Sequence, residues 1–144
     1  MNKRFTQLKG LSASEWQVLF TSLLLLPTIA LALHTRGYKR TRAFLQKRVP
    51  DCVPTPTQNT LETAQETARM VVAAARHGPY RANCLKQALA TWWLLLRRGI
   101  ATDLKIGVNR EDGDFNAHSW VEYRGTVLME ADDVGDRYST FDHR

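Results

Sequence analysis

Near Gly99 the spacing of apolar residues changes, and that change limits the folds open to this chain. Before it, in "NCLKQALATWWLLLRRG", Leu85, Ala88, Leu89, Trp92, Leu95 and Leu96 recur every three or four residues, the spacing of one helical face. After it, in "TDLKIGV", Leu104, Ile106 and Val108 alternate with other residues, the spacing of one side of a strand. Helical patterns come first and strand patterns follow, so the expected class is α+β, with a small antiparallel sheet built after the helices. The helix before Gly99 carries its own start and stop signals. Asn83 is its expected N-cap, Arg97 and Arg98 fall in its last turn, and Gly99 takes the position after the cap.

Upstream, "NTLETAQETARMVVAAARHG" reads as another helix, opened by Asn59 or Thr60 and stopped by Gly78. The proline-rich stretch before it divides the chain into a helical region over 1–50, a linker over 51–58 and a core over 59–144. At 144 residues the chain is about one domain, large enough for a core without disulfides. Charge is uneven: of 20 Lys and Arg against 14 acids, the first fifty residues hold nine against Glu15 alone. Such a region is a solvated face, or it meets nucleic acid, an anionic membrane or an acidic protein. Neither a nucleic-acid motif nor a glycine-rich phosphate loop accompanies it, so nucleic acid is not the expected partner.

Trp16 to Thr35 is free of formal charge and contains Ala30-Leu31-Ala32, features shared with signal peptides and anchors. Gln17, Thr21, Ser22, Thr28 and His34 dilute the run and Pro27 interrupts it, leaving less than the roughly 20 apolar residues a span needs. The favoured expectation is a soluble or partner-bound helix capped by Ser12 or Ser14, with Trp16, Leu19, Phe20, Leu23 and Leu24 on one face. A second helix, "RGYKRTRAFLQKRV", follows it. Membrane association is the disfavoured alternative.

Two cysteines establish no disulfide framework and fit a reducing, cytoplasmic setting. Cys52 falls in the linker. His34, His77, His118 and His143 form no zinc-spaced cluster with the cysteines, so no metal and no cofactor is expected. Cys84 opens the core helix, where unpaired backbone N–H groups and the helix dipole favour thiolate and could hold an oxyanion.

"FNAHSWVEYRGTVLMEADD" reads as strand, turn, strand. A three-residue loop, Tyr123-Arg124-Gly125, pairs Glu122 with Thr126 and sets His118 opposite Glu130. A two-residue loop, Arg124-Gly125, sets His118 opposite Ala131 and sends Glu130 to the other face. The first is preferred because Arg-Gly is not a favoured type I′ pair; Asp132 is then the diagonal alternative acid. Cys84, His118 and Glu130 would supply nucleophile, base and orienting acid, the logic of a cysteine peptidase. The plainer reading is that Cys84 is one of the many free cysteines buried in cores.

"YRANCLKQALATWWLLLRRGIATDLKIGV" followed by "AHSWVEYRGTVL" resembles the lasso peptide leader peptidases, which are stand-alone transglutaminase-like cysteine peptidases. In that family a Cys-Leu-x-x-Ala-Leu helix precedes a Leu-x-Ile-Gly-Val strand and an Ala-His-x-Trp-Val-Glu strand. The resemblance covers residues 80–134. It implies a transglutaminase/papain-like core with a Cys-bearing helix packed on a small antiparallel sheet, Cys84 as nucleophile and His118 as base. The third group, usually Asp in the family, matches Glu130, with Asp132 nearby; Trp120 is expected to pack and Glu122 to be structural. The resemblance further implies removal of the leader from a ribosomally made lasso precursor, with a separate PqqD-like leader-recognition protein and an asparagine-synthetase-like cyclase as partners. The N-terminal third would be a docking surface for that partner or the leader. The alternatives are another thiol acyl transferase on the same fold and a non-catalytic basic adapter for membrane or nucleic acid.

Overall fold

The computed structural model describes residues 10–49, 57–111, 113–129 and 139–141. Three helices precede the sheet. The first, α1 (Ala13–Gln46), starts where a capping box closes: Ser12 Oγ accepts from the Glu15 N–H at 3.3 Å, and the Glu15 carboxylate accepts from the Ser12 N–H at 2.8 Å. At Gly37 (φ 75, ψ 172) the backbone leaves helical geometry and then resumes it, so α1 is two arms meeting at the expected boundary. The second helix, α2 (Thr60–His77), ends at Gly78 as expected. A Cβ on Gly78 would lie 2.5 Å from both the Ala74 carbonyl oxygen and Leu23 Cδ2. Only glycine lets the end of α2 close against α1 in this way.

The third helix, α3 (Cys84–Arg97), is capped as the sequence indicates, Asn83 Oδ1 accepting from the Lys86 N–H at 3.2 Å. At its far end the Gly99 N–H donates to Leu96 and the Ile100 N–H to Leu95, each at 2.9 Å, with Gly99 at φ 76. This pattern is a Schellman motif. It turns the chain into β1 (Asp103–Glu111), which pairs antiparallel with β2 (Asp114–Tyr123) from Asp103↔Glu122 to Glu111↔Asp114. Two short strands complete the sheet: β3 (Thr126–Val127) beside β2 and β4 (Ser139–Phe141) beside β1, giving the order β3-β2-β1-β4. The architecture is α+β.

One core joins the helices to the sheet. Val18, Leu26 and Ile29 of α1, Ala68 and Val71 of α2, Leu89 and Leu95 of α3, and Val121 and Tyr123 of β2 belong to a single buried cluster. The Trp93 indole N–H donates to the Leu45 carbonyl at 2.9 Å, tying the second arm of α1 to α3.

Three expectations need correction. The packed face of α1 is Val18, Leu19, Ser22, Leu25, Leu26 and Ile29, whereas Phe20 and Leu24 point outward. With Leu23 to Leu26 apolar around a full turn, periodicity alone could not choose the face. "NREDGDF" is not a loop: β1 and β2 run through it, and the two-residue connection between Glu111 and Asp114 has Gly113 at φ 85. Backbone pairing does not require apolar side chains, so polar strand ends escape a hydropathy reading.

The third correction is the hairpin after His118. Tyr123 pairs with Thr126 and Glu122 with Val127, leaving a two-residue loop in which Arg124 (φ 48) and Gly125 (φ 82) both take positive φ. That is the type I′ arrangement, whose twist matches the flanking strands. Placing arginine there costs roughly 1–2 kcal/mol. The regular pairing it permits, continued by the Leu128 N–H donating to the Val121 carbonyl at 3.0 Å, offsets that cost.

Candidate active site

Cys84 is a free thiol, half-buried, at the first residue of α3. Its surroundings are held by the two side chains that follow in the first turn. Gln87 Nε2 donates to the Ala82 carbonyl at 2.8 Å, and Lys86 Nζ donates to the Tyr80 hydroxyl at 2.9 Å. These bonds fasten the 80–82 segment to the first turn of α3, next to Cys84 in the chain. None of Tyr80, Lys86 and Gln87 stands out in the sequence, because their roles come from neighbours a few residues away and not from a motif.

His118 lies mid-strand in β2, paired with Gly107 across β1. Strand alternation puts it on the same face as Trp120 and Glu122. Trp120 is fully buried, its ring stacks on His118 with centroids 6.1 Å apart, and its indole N–H donates to Glu122 Oε1 at 2.8 Å. Trp120 is therefore a packing residue and Glu122 its structural partner, as the sequence implies. The carboxylate fixes the indole, and the indole forms one wall beside the imidazole.

The elements carrying Cys84 and His118 pack directly on each other, α3 against β2. The packing runs through Val121 and Tyr123, which point at the helices, while His118, Trp120 and Glu122 point to the opposite face. The described core thus joins the two elements without itself joining the two side chains. Glu130, Asp132, Cys52 and His143 lie outside the described residues. The two-residue turn removes the cross-strand argument for Glu130, since a strand continued in that register sets residue 131 against His118. Among the described residues no three His, Cys, Asp or Glu side chains stand together.

The sequence profile of the transglutaminase-like superfamily matches residues 23–141, most of the chain from within α1 to the end of β4. The chain belongs to that superfamily, which generally contains cysteine peptidases and transferases. No curated protein and no solved structure gives a match.

Proposed function

We propose that this chain is a cysteine peptidase that removes the leader from a ribosomally synthesised lasso peptide precursor. The observation that carries the reading is a free cysteine at the first turn of a capped helix that packs on the strand bearing His118, within a transglutaminase-like domain. Chain lengths bring the start of α3 to the same end of β2 as His118, although α3 packs on the other face of that strand. Fourteen residues of α3 span about 20 Å. Retraced along β2 from Glu122 at about 3.4 Å per residue, that distance reaches about residue 116, two residues past His118.

In this mechanism the Cys84 sulfur attacks the scissile carbonyl, and His118 takes the thiol proton and delivers it to the leaving amine. Water, deprotonated by the same imidazole, then hydrolyses the thioester and regenerates the thiol. Backbone N–H groups at the start of α3, which the helix itself leaves without partners, would hold the oxyanion. Glu130 is the proposed orienting acid on resemblance alone, with Asp132 as its alternative. A PqqD-like recognition protein would hold the leader, an asparagine-synthetase-like cyclase would use the freed amine, and the reaction would take place in the cytoplasm without a cofactor. Another thiol acyl transfer on the same fold is the second reading, supported by the breadth of the superfamily.

Mass spectrometry of a cognate precursor incubated with the chain and its recognition protein distinguishes the two. Free leader and core peptide support the peptidase; a leader transferred to an added amine supports the second reading; intact precursor rejects both. A geometric test needs no substrate: in a His118→Cys variant, a disulfide with Cys84 forms only if the two Cα atoms come within about 7 Å. Formation of that disulfide under oxidation supports the pairing, and a His118→Ala variant that cleaves precursor at the normal rate rejects it.

A further inference from the structure

Two faces of the first arm of α1 meet different surroundings. At about 100° per residue, Val18, Leu19, Ser22, Leu25, Leu26 and Ile29 share the side packed on α2 and α3. Phe20, Leu24 and Leu31 fall within about 40° of one another on the opposite side. They are 58%, 76% and 64% exposed, three of the four large apolar side chains found exposed among the described residues. Trp16 extends the line by stacking on Phe20 with ring centroids 5.5 Å apart.

The polar groups along this arm do not interrupt the face. Thr21, Thr28 and Thr35, one heptad apart, donate their hydroxyl protons to the carbonyls of Gln17, Leu24 and Leu31 at 2.7, 2.8 and 2.9 Å. Ser22 does the same to Val18 at 2.7 Å. Between Gln17 and His34, every hydroxyl is already satisfied by the helix itself. Side-chain donors on this face are thus confined to its two ends, Trp16 and Gln17 at one and His34 at the other. A bilayer surface suits that arrangement, with an apolar middle and polar groups where the headgroups begin.

Charge completes the pattern. Past Thr35, Arg36, Lys39 and Arg40 are exposed, and Arg42, Lys47 and Arg48 follow with no acid among them. At the other end, a cleft of about 210 Å³ between α1 and α3 is lined by Gln17, Thr21, Arg97 and Arg98 among others. An uncharged apolar line bracketed by cations is complementary to acyl chains beneath anionic headgroups. α1 is long and apolar enough to cross a membrane, but its other side shares one core with Leu89 and Leu95, so in this fold it can lie on a bilayer and not span it.

We propose that the Phe20–Leu24–Leu31 face of α1 is an in-plane docking surface for a membrane with anionic lipids. The proposal is independent of the chemistry at Cys84. Its test is co-sedimentation of the full chain with vesicles of phosphatidylcholine containing one-quarter phosphatidylglycerol, and with phosphatidylcholine alone. The chain should pellet with the anionic vesicles, more weakly with the neutral ones, and a Leu24→Gln/Leu31→Gln variant should lose about fivefold or more of that binding. Both side chains are exposed, and an unchanged melting curve would show that the fold survives. An Arg36→Gln/Lys39→Gln/Arg40→Gln variant should bind both vesicle types alike. Absence of binding to anionic vesicles, or full binding by the leucine variant, overturns the proposal. So does a lipid-free dimer that the leucine substitutions dissolve, or a complex with the purified recognition protein that they abolish while vesicle binding persists; either assigns the face to protein.

Discussion

The two faces of β2 are built from the same ten residues for different ends. On one, Val121 and Tyr123 enter the large core with α1, α2 and α3. On the other, Trp120 packs with Val127 in a small separate cluster, held by its bond to Glu122 and stacked on His118. The first face binds the strand to the helices by burial, which is tolerant of exact shape. The second fixes side chains by directed contacts, an indole to a carboxylate and a ring against a ring, which restrict orientation. A strand anchored through one face can hold an imidazole steady on the other, and the two should respond differently to substitution.

The largest difference should come from the proposed nucleophile and base. Cys84→Ala and His118→Ala are each expected to lower precursor cleavage by at least about a thousandfold, as members of a unit that fails together. Thermal unfolding should move little, because neither residue belongs to the large core; a melting point lowered in step with activity would erase the distinction between the faces. Val121→Ala should do the reverse. Removing two buried methyl groups there should cost about 2 kcal/mol of unfolding free energy by chemical denaturation, while kcat/KM per folded molecule stays near its starting value. A smaller effect on turnover separates the candidate acids. Glu130→Gln is expected to slow cleavage at least about tenfold, about 1.4 kcal/mol in the barrier, with Asp132→Asn milder. The opposite ranking moves the third catalytic role to Asp132. Smallest is Arg124→Asn, which should raise stability by up to about 1 kcal/mol because asparagine accepts positive φ more readily than arginine. No gain in the denaturation midpoint would argue against the two-residue turn.

Features set by neighbours in sequence were legible. Ser12, Asn83, Gly78 and Gly99 announce helix ends because caps and stops depend on groups three or four residues away. Features decided by distant partners were not. The outward face of α1 could not be chosen while Leu23 to Leu26 offered apolar residues in every direction; α2 and α3 made the choice. The turn after Tyr123 was a contest between the preferred place for Gly125 and the cost of a left-handed Arg124, and strand pairing decided it. Cys84 and His118 stand out in the sequence through a motif, whereas the bonds of Lys86 to Tyr80 and of Gln87 to Ala82 carry no sequence signal, because they depend on contacts across a turn.

The shared core also sets a timetable. During synthesis the inner side of α1, from Val18 to Ile29, emerges long before its partners Leu89 and Leu95. At about 5–20 residues per second, the roughly seventy residues that separate them take several seconds to make. For that interval both sides of the uncharged stretch from Trp16 to Thr35 are open at once, a state prone to aggregate. A lipid surface or a chaperone meeting the nascent chain then has access to leucines that the finished protein hides.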